Sequence, residues 1–60
     1  MTRTTLSAWE RSAILKTLTD KTPQALRQML IEPDHVMMHD FHLARSAHDE
    51  LVREALRILT

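Results

Sequence analysis

The chain has 60 residues, of which 43% are hydrophobic, with eight basic and eight acidic side chains and neither glycine nor cysteine. This length permits one domain, and a chain so short buries only about 60% of its unfolded surface, so it needs a further source of stability such as self-association. The absence of cysteine excludes a disulfide framework and a thiol nucleophile, and the net charge of zero removes the bulk attraction typical of nucleic-acid-binding proteins.

Residue usage predicts an all-α fold. Leucine and alanine dominate the apolar residues, whereas the β-branched valine and isoleucine are few, which is the balance expected of helices. The turns that most often join two strands need residues at positive φ, usually glycine or asparagine, and the chain contains neither. Strands joined by such turns are therefore not expected.

Two short helices are predicted in the N-terminal half, at about 8–19 and 23–31. Ser7-Ala8-Trp9-Glu10 fits a capping box, in which the serine hydroxyl and the glutamate carboxylate each accept a backbone N–H. Thr22-Pro23 supplies a cap oxygen followed by a proline at the first helical position. Pro33 disfavours helical backbone at the residue before it, so the second helix ends there.

One long third helix is predicted over about 34–59, because no glycine or proline interrupts this segment. Its apolar positions alternate in steps of four and three residues, the pattern of a coiled-coil seam. A second cap-like sequence at 46–49 leaves open a split into two helices. The seam residues are Met37, Phe41, Ala44, His48, Leu51, Ala55 and Ile58.

These elements predict two short helices folded against one long helix in a single all-helical domain, 1–60. Further apolar side chains widen the seam to about half of the helix circumference, more than one partner helix covers. We therefore expect a homodimer, a helical bundle whose dimer interface is the seam. His48, at the centre of the seam, is expected to be a buried or register-setting imidazole.

Three histidines invite a metal-site hypothesis. His35, His39 and His42 follow i, i+4, i+7 spacing, by which a helix offers imidazoles to one metal ion. They lie on the face of the predicted long helix that is expected to be solvated, where neither water exclusion nor orienting partners are evident. The favoured interpretation is an exposed polar face, with no metal and no cofactor.

Trp9, the single tryptophan, has two interpretations. It either anchors the first helix to the long one or belongs to an exposed contact surface for another protein, where tryptophan and arginine are over-represented. The apolar residues of the first helix point in three directions, so one neighbour cannot cover them all. The predicted partner-binding residues are Trp9, Arg11, Ile14 and Lys16.

The sequence favours binding over catalysis. It contains no phosphate-binding glycine loop and no local signature of an activated nucleophile. We expect a small regulatory, non-enzymatic protein-interaction module that acts as a cytoplasmic homodimer and binds another, unidentified protein. The alternative is a small nucleic-acid-binding regulator, since helix two, a sharp turn and helix three resemble a helix-turn-helix. No secretory signal or membrane-length apolar run is visible.

Overall fold

The computed structural model of the chain describes residues 2–60, and these residues form four helices. The all-α class predicted from the sequence is confirmed, whereas the count of three helices is wrong. A single isolated β-bridge joins Arg3 to Leu43 within the described residues. The helices are α1 (Ala8–Thr19), α2 (Pro23–Ile31), α3 (His35–Phe41) and α4 (Arg45–Leu59).

The first two helices begin at the predicted caps. In α1 the Glu10 N–H donates to Ser7 Oγ over 3.4 Å, and the Ser7 N–H donates to Glu10 Oε1 over 3.2 Å, so the capping box is complete. In α2 the Ala25 N–H donates to Thr22 Oγ1 over 3.1 Å. Each interaction satisfies a backbone donor that the first helical turn leaves without an intrahelical partner.

The predicted long helix is broken at His42, four residues before the cap-like sequence at 46–49. His42 has φ 55° and ψ 39°, the left-handed conformation, and Ala44 is extended. The break places the Leu43 side chain in the core, where it is 1% exposed. The Arg3 backbone pairs with the backbone on either side of Leu43. The Arg3 N–H donates to the His42 carbonyl, and the Ala44 N–H donates to the Arg3 carbonyl over 2.9 Å.

The left-handed His42 is a site where glycine is expected to stabilise the protein. A residue with a Cβ is strained by roughly 1 kcal/mol in this conformation, and glycine is not. We expect His42→Gly to raise the free energy of unfolding by about 0.5–1 kcal/mol in urea denaturation. His39→Gly, inside α3, should lower it by roughly 0.3–0.5 kcal/mol, because histidine is already a weaker helix former than alanine. A loss of stability in both variants would contradict this account.

The core lies where α1 and α2 both pack against α4. The described Cα atoms span only 31 × 23 × 15 Å, so the molecule is a thin slab with a single buried layer. The segment 2–60 contains no helix that is both long and apolar enough to cross a membrane. The buried hydrophobic residues are Ile14, Leu18, Leu26, Leu43, Ala47, Leu51, Val52 and Ala55.

Candidate protein-interaction site

An open apolar groove of about 290 Å³ separates α1 from α3. The buried side chains Ile14 and Leu18 belong to α1, and the half-buried Met37 and Phe41 belong to α3. Val36, also on α3, is 70% exposed. We call this site the α1–α3 groove; its lining residues are Ala13, Ile14, Thr17, Leu18, Lys21, Asp34, Val36, Met37, Asp40 and Phe41.

The charges that line the groove differ between its two sides. Lys21 follows the end of α1, whereas Asp34 and Asp40 belong to the α3 side. The Asp34 carboxylate also caps α3, since its Oδ1 accepts the Met37 N–H over 3.1 Å. The groove therefore offers an apolar surface with a basic α1 side and an acidic α3 side.

Trp9 is 72% exposed in the first turn of α1. The interpretation of Trp9 as an anchor within the fold is therefore wrong. At about 100° per residue, Lys16 lies on the same face of α1 as Trp9, and Ala13 lies between that face and the groove. Trp9 and the groove thus occupy adjoining parts of one surface.

The other two predicted partner-binding residues are not exposed contact residues of this surface. Ile14 lines the groove but is only 2% exposed and belongs to the core, so it offers a partner little of its side chain. Arg11 lies on the opposite side of α1 from Trp9 and is half-buried. It lines a separate cavity of about 220 Å³, together with Thr4, Thr5, Leu6, Ala47, Glu50 and Leu51.

Arg3 connects the two walls of the groove at one end. Its Nη2 donates to Glu10 Oε2 on α1 and to the Phe41 carbonyl at the end of α3, each over 2.9 Å. A cation is favourable beside the last carbonyls of a helix. No local sequence signal marks this contact, because Arg3 and Phe41 are 38 positions apart in the chain.

The Arg3–Glu10 pair predicts a pH dependence of stability. Hydrogen bonds from the Arg3 guanidinium and from Ser7 lower the pKa of Glu10 from 4.5 to about 2. A carboxyl whose pKa is lower in the folded state contributes stability above its unfolded pKa, and that stability is lost as pH falls toward the folded value. The contribution of Glu10 is therefore full above pH 4.5 and disappears as pH falls toward 2.

We expect Glu10→Gln to lower the melting temperature at pH 7. The difference in melting temperature between this variant and the unchanged protein should shrink as the pH falls from 4.5 to 2. Circular dichroism melts across this pH range measure the difference. Glu32→Gln is the control, because the Glu32 side chain is exposed in the turn after α2. A constant difference between Glu10→Gln and the unchanged protein at every pH would show that the ion pair does not act.

His48 holds the other end of α3. Its ring is fully buried, and Nε2 accepts the Asp34 N–H over 3.1 Å. Because a backbone N–H only donates, Nε2 is unprotonated, and the proton resides on Nδ1, which donates to Asp49 Oδ1 over 2.8 Å. Since α3 has no fully buried residue, hydrogen bonds at both its ends position this wall of the groove.

Asp49 supports the His48 ring from α4. Partial burial by itself raises the pKa of the Asp49 carboxyl, but hydrogen bonds from the His48 ring and the Arg45 guanidinium outweigh it, and the pKa lies below its usual value. Arg45 Nη2 also donates to the Leu30 carbonyl near the end of α2, over 2.8 Å. Asp49 thereby connects the His48 ring, through Arg45, to the contact between α2 and α4.

The histidine triad predicted from i, i+4, i+7 spacing does not form. His35 and His39 are exposed on α3, but the helix ends before His42, whose left-handed backbone leaves the predicted face. Across residues 2–60, no group of three or more His, Cys, Asp or Glu side chains could hold a metal ion. The spacing argument required the continuous helix that the break at His42 removes.

The seven predicted seam residues do not form one continuous surface. His48, Leu51 and Ala55 lie in the core of one chain, whereas Met37, Phe41 and Ala44 are half-buried and Ile58 is 57% exposed. A dimer formed through the first three would have to open that core. The homodimer remains a prediction, and the seam as a whole cannot be its interface while this core stays closed.

Comparison of the chain with protein-family models, with curated proteins and with solved structures finds no match. The groove, the exposed Trp9 and the buried His48 are therefore the features that indicate a function.

Proposed function

We propose that this chain is a non-enzymatic protein-interaction module whose contact surface is the α1–α3 groove together with Trp9. The observation that carries the proposal is the 72% exposure of the single tryptophan beside an open apolar groove. Burying a large apolar side chain is worth about 1.5–3 kcal/mol, which this small fold does not gain from Trp9. Tryptophan at the centre of a contact surface is typical of binding hot spots.

The buried histidine supports binding over catalysis. A histidine hydrogen-bonded to a carboxylate is the arrangement of many general bases. In this chain the His48 ring is 0% exposed, and both of its nitrogens are engaged, with the Asp34 N–H and the Asp49 carboxylate. A substrate cannot reach either nitrogen, so the His48–Asp49 pair serves to position α3.

The alternative of nucleic-acid binding has less support. Base recognition by a helix-turn-helix uses side chains near the start of the second helix, where Arg, Lys, Asn and Gln are favoured. Here that helix is α3, which is seven residues long, begins at the Asp34 cap and contains Asp40 but no Arg or Lys. Its carboxylates would repel phosphate groups. A steep loss of any observed binding with added salt would favour this alternative.

A comparison of Trp9→Ala with Ile31→Ala tests the proposal. Both residues are exposed large hydrophobics, Trp9 by 72% and Ile31 by 75%, but Ile31 is not among the groove residues. We expect tagged protein to capture a protein partner from its native cells, Trp9→Ala to reduce the captured amount by about 30-fold or more, and Ile31→Ala to leave it unchanged. Quantitative mass spectrometry measures the captured protein.

Arg11→Ala distinguishes the contact surface predicted from the sequence, which includes Arg11, from the α1–α3 groove with Trp9. The sequence predicted that Arg11 takes part in binding, whereas its position on the opposite side of α1 predicts unchanged capture. Circular dichroism verifies that each variant is folded. Equal capture by Trp9→Ala and the unchanged protein would refute the proposed surface.

A further inference from the structure

We infer that the occupant of the α1–α3 groove is a second copy of this chain, whose Trp9 inserts between α1 and α3. This inference rests on the proposed function and names the partner of the same surface. The chain carries both complementary shapes: an exposed Trp9 in the first turn of α1, and an apolar groove of about 290 Å³ that begins one turn later, at Ala13. An aromatic side chain buries about 150–250 Å² when it is enclosed.

The spacing along α1 allows the two contacts to be reciprocal. When two α1 helices pair antiparallel and cross at Ala13, Trp9 of each copy lies opposite Thr17 of the other, because both are four residues from the crossing point. Thr17 lines the groove, and Ala13 is small and exposed, which permits close approach of the helices. The same surface of both copies is then used, as in a closed twofold dimer.

Charge also favours a second copy as the occupant. Lys16 shares the Trp9 face of α1, while Asp34 and Asp40 line the α3 side of the groove. Insertion of Trp9 therefore brings the Lys16 cation of one copy toward the acidic α3 side of the other copy's groove. Residues 1–30 carry five basic and two acidic side chains, and residues 31–60 carry three basic and six acidic, so contact of α1 in one copy with α3 in the other joins regions of opposite net charge.

The protein has enough surface for a stable dimer interface. A stable interface of standard size takes about 800 Å² from each partner, roughly a fifth of the 4173 Å² surface of the described residues. The slab is only 15 Å thick between Cα atoms, so stacking a second copy on its α1–α3 face adds a second layer to a thin core. Without cysteine, self-association is an available means of stabilising so short a chain.

Trp9 itself reports on the proposed contact, because it is the only tryptophan and its fluorescence shifts to shorter wavelength on burial. We expect the purified full chain to change from monomer to dimer as its concentration rises from about 1 μM to several hundred μM, with a parallel blue shift of the emission. Sedimentation velocity measures the mass. A chain that stays monomeric throughout, or that forms assemblies larger than a dimer, would overturn the inference.

Two variants test the two sides of the contact. Trp9→Ala removes the inserted side chain, and Val36→Asp places a carboxylate on the 70% exposed groove residue of α3. An acidic residue in a first helical turn is compatible with folding of α3. We expect each variant alone to dimerise about 30-fold or more weakly than the unchanged chain, and the exposed Ile58→Ala to dimerise normally.

An equimolar mixture of Trp9→Ala and Val36→Asp supplies the decisive comparison. The first variant retains an intact groove and the second retains Trp9, so a mixed dimer keeps one of the two reciprocal contacts. We expect the mixture to dimerise more strongly than either variant alone, with a blue shift from the one remaining tryptophan. Dimerisation unaffected by either substitution would place the interface elsewhere.

The two proposals fail separately. A monomeric purified chain that still captures a different protein through Trp9 would refute the second copy and retain the interaction module. A dimer that depends on Trp9, with no other protein captured, would confirm the second copy as the partner. Capture and dimerisation that are both independent of Trp9 would refute both proposals.

Discussion

Replacing Leu51 with alanine is expected to lower the free energy of unfolding by about 2–5 kcal/mol. Leu51 is a buried core residue of α4, 2% exposed, and its truncation leaves a cavity in the layer where α1 and α2 meet α4. A 60-residue domain has a total stability of only about 3–9 kcal/mol. Urea denaturation followed by circular dichroism should therefore show a protein that is largely unfolded or close to it.

Ile58 is the matched control for Leu51. It lies one heptad later on α4, and a continuous coiled-coil seam would make the two positions equivalent. In this fold Ile58 is 57% exposed, so Ile58→Ala should change the free energy of unfolding by no more than about 0.5 kcal/mol. Equal losses in the two variants would favour the seam dimer over the single-chain core.

The second large effect is expected at His48. His48→Ala removes the acceptor of the Asp34 N–H and leaves a cavity, which together should cost about 3 kcal/mol. His35→Ala, at an exposed position of α3, should change stability by no more than about 0.5 kcal/mol. Urea denaturation measures both variants under the same conditions.

The stability that His48 contributes by filling space can be distinguished from the stability that it contributes by its hydrogen bond with the Asp34 N–H. Amide hydrogen exchange reports the Asp34 N–H directly, and we expect His48→Ala to accelerate its exchange far more than that of Leu51, deep within α4. Equal acceleration at both amides would mean that His48 acts only by filling space. Asp34 lines the groove, so this measurement also tests whether the groove wall depends on His48.

The sequence predicted the burial of His48 but not the groups that surround its ring. The periodicity placed His48 at the centre of an apolar stripe, and its burial is confirmed. The neighbours of the ring were not predictable in the same way, because the Asp34 N–H belongs to the N-cap residue of α3, 14 positions away in the chain. Periodicity identifies a face of a helix, and only the turn between helices decides what meets that face.

The exposure of Trp9 also depends on packing that the sequence alone does not specify. The apolar residues of α1 point in several directions, which indicated that some would stay uncovered. The packing of α1 on α4 decided which ones: Ile14 and Leu18 are buried, and Trp9 is exposed. Composition and spacing alone left both interpretations of Trp9 open, because tryptophan is as suited to a core as to a contact surface.

The sequence by itself determined the helical class and the first two helices. The Ser7–Glu10 capping box and the hydrogen bond from the Ala25 N–H to Thr22 each form within one helical turn, so they depend on neighbours in the chain and not on the fold.

The tertiary structure alone decided the break at His42 and therefore the groove. No glycine or proline marks that position, and a left-handed histidine is unfavourable by itself. The break is stabilised by burial of Leu43 and by the two backbone hydrogen bonds that His42 and Ala44 make with Arg3, some 40 residues away. Because these contributions come from residues distant in the chain, local propensity favoured a continuous helix, and only packing of the whole chain produced α3, its two attachments and the surface beside Trp9.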